Sequence, residues 1–300
     1  MQTPKKLTGF IGLGVMGKPM ALNLIRAGVE LMVYDVLPGP TAEVVSAGAT
    51  RGKSPAHIGE KCEVIITMLP NSPQVKEVID GEEGVLQGAK PGSIIIDMSS
   101  IAPLVAIELE KVAAEKGVEM LDAPVSGGEP KAIDGTLSIM AGGKEEVFEK
   151  VKNILLVMGG SAVLVGEIGS GNTAKLANQI MVALHLASMS EAMVFAEKAG
   201  VDPEKVFEAI RGGLAGSTVL EAKMPLLLER NFKPGGPISM HTKDLLNVLD
   251  TAEKIGAPIP LTTQVLEFMK ILKQDGKGMD DHAGIIQYWE KIARVKVERK

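Results

Sequence analysis

The chain has 300 residues, 45% of them hydrophobic, and a formal charge of -5 spread along its length. That apolar content can bury one large core or two modest ones, and the length favours two domains. Charge without basic blocks or interleaved aromatics excludes a nucleic-acid or anionic-membrane surface, which leaves small molecules and other subunits as partners.

Residues 7–11 read as a short apolar strand that runs into Gly12-Leu-Gly-Val-Met-Gly17, and residues 19–27 as a helix closed by Gly28. The turn carries G-x-G-x-x-G: the first glycine permits the tight turn, the second lets a pyrophosphate approach, the third lets helix and strand pack closely. Backbone at Gly12, Leu13, Gly14, Val15, Met16 and Gly17 would then face the phosphates. A second strand, 30–34, ends in Asp35, at the spacing of the acid that binds a ribose hydroxyl. Its carboxylate would repel a 2′-phosphate, and Val36 and Leu37 offer no base to grip one. NAD is therefore favoured, with NADP possible if a lysine from elsewhere accepts the phosphate. The plainer reading of Asp35 is the start of a turn before Pro38.

Strands at 64–69, 93–98, 118–121, 137–140 and 162–165 alternate with helices at 73–80, 103–116 and 144–158, which argues for a doubly wound sheet. Most of these strands are near-continuous apolar runs, as buried parallel strands should be. Two strand ends carry Pro70-Asn-Ser72 and Ser99-Ser100, at the edge where such a sheet binds its ligand, although turn chemistry also explains those residues. In Asp122-Ala-Pro-Val-Ser-Gly-Gly-Glu-Pro130, Ser126 supplies a hydroxyl while Gly127 and Gly128 expose successive amides, a concavity suited to a carboxylate. The alternative there is a flexible turn before the helix-like 130–133.

Beyond Gly171 strand signals vanish. Gly166-Glu-Ile-Gly-Ser-Gly-Asn-Thr-Ala-Lys-Leu-Ala-Asn-Gln179 opens a helix over 171–199, roughly 40 Å long at helical rise. It is apolar beyond one stripe, which implies burial on several sides and hence subunit contact. Helical periodicity continues through 201–211, 218–230, 241–255, 261–273 and 281–295. The expected division is 1–166, an α/β dinucleotide-binding domain, and 167–300, an all-α domain for substrate and oligomerisation, linked by the long helix. On that helix Asn172, Lys175 and Asn178 or Gln179 share a face, so one amine stands among neutral amides. A solvated lysine is the plain reading, but the dinucleotide turn and the carboxylate loop make it a proton donor, with a pKa that burial would lower toward the working pH.

The single cysteine, Cys62, excludes an intrachain disulfide and suits a reducing cytoplasm. Residues 1–6 show no signal-peptide core, and no run reaches the roughly 18 apolar residues of a membrane helix. His57, His185, His241 and His282 lie far apart, so no catalytic metal is expected.

Four stretches together resemble the β-hydroxyacid dehydrogenase family across essentially the whole chain: residues 9–17, 122–128 and 166–179, and Phe232-Lys-Pro234 with Lys243-Asp244. Three more, Thr67-Met-Leu-Pro-Asn-Ser-Pro73, Glu129-Pro-Lys-Ala-Ile-Asp-Gly-Thr-Leu-Ser138 and Arg211-Gly-Gly-Leu-Ala-Gly-Ser-Thr218, resemble its branch acting on tartronate semialdehyde. The sister branch acting on 3-hydroxyisobutyrate usually continues differently after Ser-Gly-Gly. The resemblance implies a Rossmann-like domain followed by a helical one, a nicotinamide cofactor, and a homodimer or homotetramer. By position it makes Lys175 catalytic and Ser126, Gly127, Gly128, Asn178, Phe232 and Asp244 substrate-binding. Leu69, Pro70, Gln74, Ser100 and Lys243 match cofactor-contacting positions. A non-catalytic dinucleotide sensor or assembly module on the same fold would be expected to lack the lysine.

Overall fold

The computed structural model describes residues 7–233 and 235–300; residues 1–6 and Pro234, the last position of the Phe232-Lys-Pro234 motif, lie outside the described residues. Internal contacts divide the chain into two units, Met1–Lys175 and Leu176–Lys300.

The first unit runs β1 (Thr8–Ile11), α1 (Gly17–Arg26), β2 (Leu31–Tyr34), α2 (Pro38–Ser46), β3 (Thr50–Arg51), α3 (Pro55–Lys61), β4 (Val64–Thr67) and α4 (Ser72–Asp80). It continues through β5 (Ile94–Asp97), α5 (Pro103–Glu115), β6 (Glu119–Asp122), β7 (Val125–Ser126), α6 (Gly128–Asp134), β8 (Leu137–Gly142), α7 (Glu145–Met158) and β9 (Gly159–Gly166). The sheet order is β3-β2-β1-β4-β5-β6-β8-β7, with β9 paired to β8. Strands four residues long suffice because β1, β4 and β5 are buried along their whole length. Alternate side chains feed two cores: Phe10, Ile66 and Ile96 enter one, Ile11, Ile65 and Ile95 the other.

Register matters most for function. Ile11 pairs with Thr67, Thr67 with Asp97 and Asp97 with Asp122, so the last residues of four adjacent parallel strands form one row at the carboxyl edge.

Pro38 and Pro55 open helices α2 and α3, which the sequence reading did not place, and Ser54 caps the second by accepting from the His57 amide. Two features depart from the sequence reading. β8 runs antiparallel to β6 and to the unanticipated β7. β9 alternates between partly buried and exposed residues instead of being buried throughout.

The second unit carries α8 (Ser170–Lys198) from its seventh residue onward, then α9 (Pro203–Ile210), α10 (Thr218–Leu228), α11 (Ile238–Ile255), α12 (Pro260–Gln274) and α13 (Ile286–Ala293). Its core gathers Leu186, Met193, Met224, Leu245, Met269 and Ile286. The helix expected over 281–295 is split, because the buried Asp281 caps a separate 3-10 turn, accepting from the Ala283 amide at 2.9 Å. By length and composition α8 does reach the span of a membrane helix, against the sequence reading. Ala183, Leu186, Ser190 and Met193, all fully buried, mark it as the core helix of its unit.

Candidate active site

Glycine builds the turn between β1 and α1. Gly12 has a φ of +96°, and a Cβ on Gly17 would run into the Gly12 carbonyl oxygen, so only glycine lets α1 start this close to β1. A Cβ on Gly14 would meet nothing within 4 Å, and Gly14 and Val15 are exposed. This leaves an open cradle of backbone at the start of a helix. Asp35 stands against it: one carboxylate oxygen accepts from the Leu13 amide at 2.6 Å, the other from the Leu37 amide at 2.7 Å. Asp35 therefore both starts the turn before Pro38 and places an acid beside the glycines. The Leu13 amide is engaged by it, so phosphates would be met by the backbone further along. Val36 and Leu37 are exposed beside the acid. These residues fit a dinucleotide.

The strand-end row organises the neighbouring loops. Fully buried Asp97 accepts through Oδ1 from Thr67 Oγ1 at 2.8 Å, Ser99 Oγ at 2.5 Å and the Ser99 amide at 3.2 Å, while its Oδ2 has no hydrogen-bond partner among the described residues. Ser99 Oγ in turn accepts from the Leu69 amide at 2.9 Å, and Ser72 Oγ from the Ala102 amide at 3.2 Å. The loops after β4 and β5 are thus tied together, which fixes Leu69 and Pro70. Gln74 is exposed on the first turn of α4, and Ser100 is half-buried. Burial pushes the Asp97 carboxyl up to about 6, against the Ser99 and Thr67 hydrogen bonds that lower it.

Asp122, also fully buried, holds the start of α8. It accepts from the Gly169 amide at 2.8 Å, the Asn172 amide at 2.6 Å and Asn172 Nδ2 at 3.2 Å. Burial pushes its carboxyl up to about 6, opposed by those same bonds. Lys175 follows three residues later on α8 and is 7% exposed. Asn172, expected among the neutral amides around the lysine, is also a clamp: its Oδ1 accepts from the Ile101 amide at 3.0 Å. In the substrate loop Ser126 lies in β7 opposite Ser138, and Gly127 and Gly128 have φ of +140° and +69°. Such successive positive values favour glycine.

Residues 8–166 match the family model described as the NAD binding domain of 6-phosphogluconate dehydrogenase. Residues 169–289 match that described as NAD-binding of NADP-dependent 3-hydroxyisobutyrate dehydrogenase. The chain is 43% identical over 290 residues to 2-hydroxy-3-oxopropionate reductase of Escherichia coli (strain K12), covering 96% of this chain and 99% of that protein. It is 38% identical to 2-(hydroxymethyl)glutarate dehydrogenase of Eubacterium barkeri, over 96% of each. Among solved structures, the Mycobacterium tuberculosis 3-hydroxyisobutyrate dehydrogenase with L-serine superposes with a TM-score of 0.88 at 30% identity, covering 95% of this chain and 99% of that one. The chain belongs to the β-hydroxyacid dehydrogenase family. As such it is an oxidoreductase whose cofactor is NAD or NADP, on the expected Rossmann-like and helical architecture.

In this β-hydroxyacid dehydrogenase the remaining expected site residues lie in the second unit. Asn178 and Gln179 are half-buried on α8. Gln179 Nε2 donates to Asp244 Oδ2 at 2.5 Å, and Asp244 Oδ1 pairs with Lys243 Nζ at 2.6 Å. Asp244 is 5% exposed, so it orients Gln179 and Lys243. Phe232 is half-buried, with the Arg230 guanidinium 5.0 Å from its ring centroid. Among the described residues no three His, Cys, Asp or Glu side chains are grouped to hold a metal ion. Cys62 is buried, which pushes its thiol up to about 12 and leaves it inert.

Asp97, Asp122, Ser99 and Asn172 carry roles that the sequence reading did not assign. A signal was present, since Asp97 and Asp122 each end an apolar run, Ile94-Ile-Ile and Met120-Leu, where a charge is costly unless the fold uses it.

Proposed function

We propose that this enzyme reduces tartronate semialdehyde (2-hydroxy-3-oxopropanoate) to D-glycerate, with Lys175 as general acid. The observation that carries this reading is the 43% identity to the Escherichia coli 2-hydroxy-3-oxopropionate reductase along 96% of the chain. A three-carbon substrate is supported by the Mycobacterium tuberculosis relative, solved with L-serine, itself a three-carbon acid with a β-hydroxyl.

Gly12 to Gly17 would hold the pyrophosphate, Asp35 the ribose, and Leu69, Pro70, Gln74, Ser100 and Lys243 the rest of the dinucleotide. The acid at the ribose and the apolar Val36 and Leu37 support NAD over NADP. When bound, the nicotinamide supplies the hydride that reaches the carbonyl carbon. Ser126 and the amides of Gly127 and Gly128 would anchor the substrate carboxylate; Asn178 and Phe232 are further proposed substrate-binding residues, and Asp244 would act through Gln179 and Lys243. Lys175 would stabilise the developing alkoxide and pass it a proton; in the oxidative direction the neutral amine takes that proton back. The proposed domains are 1–166, which binds most of the dinucleotide and also carries the carboxylate loop, and 167–300, which supplies Lys175, Lys243, the other substrate residues and the assembly surface.

A second reading, oxidation of 3-hydroxyisobutyrate, is favoured by 35% identity to the mitochondrial enzyme of Bos taurus over 95% of the chain. Steady-state kinetics with tartronate semialdehyde and methylmalonate semialdehyde, each with NADH and NADPH, separates the two. Higher kcat/KM for tartronate semialdehyde with NADH is expected. A preference for methylmalonate semialdehyde overturns the substrate assignment, and a preference for NADPH overturns the reading of Asp35.

The enzyme is further proposed to be a homo-oligomer. A groove of about 850 Å³ in the second unit is lined by Phe195, Leu261, Phe268 and Trp289, with Phe195 75% and Leu261 60% exposed. Apolar surface of this kind is normally covered in the working assembly. Light scattering should give a mass above that of one chain, reduced by Phe195→Glu. A cytoplasmic location fits the single buried thiol.

A further inference from the structure

We propose that Asp122 is the positioning residue of the reaction: from the end of β6 its buried carboxylate anchors the first turn of α8 and so fixes where Lys175 stands. The inference rests on the reading of Lys175 as proton donor. Gly169, the residue before α8, has no side chain with which to cap the helix, and its φ of +87° suits only glycine. The cap comes instead from a strand 47 and 50 residues away in sequence, through the Gly169 and Asn172 amides. A negative group there also complements the positive end of a long helix.

The close approach is built on both sides by glycine. A Cβ on Gly171 would stand 2.5 Å from the Asp122 carbonyl oxygen and 3.0 Å from its Oδ2, and a Cβ on Gly142 would collide with Oδ1. Asn172 extends the clamp, with Nδ2 on Asp122 and Oδ1 on the Ile101 amide at the loop after β5. The strand end, that loop and the helix start therefore move as one piece. Lys175 lies one helical turn beyond Asn172, so any slack in the clamp displaces the ammonium by a comparable amount. A misplacement of about 1 Å at a reacting group costs on the order of 100-fold in rate.

The test uses the full-length enzyme. Asp122→Asn keeps the shape but turns an amide donor toward backbone N–H groups. Expected are faster hydrogen exchange in peptides covering residues 166–180, an NADH dissociation constant within threefold of the parent, KM within fivefold and kcat about 100-fold lower. In a Lys175→Ala background the same change should lower kcat less than twofold further, because both act through one group. Should Asp122→Asn not fold, Asn172→Ala, which cuts the Ile101 link, should show the same pattern with kcat about tenfold lower. Unchanged exchange at 166–180 overturns the anchor. Faster exchange with kcat within threefold of the parent, or a full loss repeated in the Lys175→Ala background, overturns the positioning role. If the parent turns over no small semialdehyde, the functional reading fails, while the exchange arm still decides the anchor.

Discussion

Replacing Asp97 by Asn should make the protein more stable at pH 8 and leave it unchanged or weaker near pH 4. In the fold this carboxyl is raised from 3.8 to about 6, chiefly by burial. Between those values the folded state binds more protons than the unfolded chain. Its contribution to stability is therefore fully present below 3.8 and is lost as pH rises through about 6. A shift of about two units corresponds to roughly 3 kcal/mol against the fold once the group is ionised. The substituted amide would carry no charge and keep an acceptor for Ser99 and Thr67. Its nitrogen would occupy the place of Oδ2, which has no partner among the described residues, at a cost of about 1 kcal/mol. The net expectation is a gain of about 2 kcal/mol at pH 8 that vanishes by about pH 4. Urea unfolding followed by circular dichroism at the two pH values measures it, and the fluorescence of Trp289, which lies in the second unit, serves as control. A loss of more than about 1 kcal/mol at pH 8, or a difference that does not change with pH, refutes the assignment of burial as the dominant cause.

Lys175→Ala should lower kcat more than about 100-fold with the NADH dissociation constant within threefold; turnover within about tenfold of the parent excludes the acid role. Gly14→Ala and Gly17→Ala should fail differently. The first leaves the melting temperature within about 2 °C but weakens NADH binding at least tenfold, since its Cβ points into the open cradle, whereas the second unfolds the protein several degrees earlier because its Cβ meets the Gly12 carbonyl. Asp35→Asn removes the charge beside the glycine turn and should move the ratio of kcat/KM for NADPH over NADH upward by about tenfold; an unchanged ratio would show that the acid does not read the ribose.

The sequence carried what local chemistry encodes. Gly12, Gly14 and Gly17 could be given separate tasks from their spacing, and the structure shows a different steric surrounding for each. The alternation of apolar strands with helices was equally plain, because β4 and β5 are buried on both faces. That double burial also hid a feature: an apolar run looks the same in either direction, so the reversal of β8 could not be read. The helices that open at Pro38 and Pro55 were not read for a related reason, since proline ends one helix and begins another with the same ring, and only the flanking structure decides. The clamps at Asp97 and Asp122 were the least legible. Apart from Ser99, two positions from Asp97, their partners lie 30 to 50 positions away, and spacing rules reach only a helical turn or a strand pair.

Why acids end β5 and β6 follows from donor counting. At the carboxyl edge the chain leaves the sheet, and the amides of Ser99, Gly169 and Asn172 need acceptors that no strand provides. A carboxylate offers two oxygens and no donor, so Asp122 can face three N–H groups at once, whereas an asparagine would turn a donor toward one of them. An apolar side chain would suit the surrounding core better but leave those amides unpaired, each at a cost of about 1 to 3 kcal/mol. The two acids also oppose each other, since the charge on Asp122 is among the causes that raise the Asp97 carboxyl. Removing either charge therefore eases ionisation of the other. The row is tolerated at a loss of stability because it fixes the loops carrying Leu69 and Pro70 and the helix carrying Lys175, which is where the chemistry has least tolerance for slack.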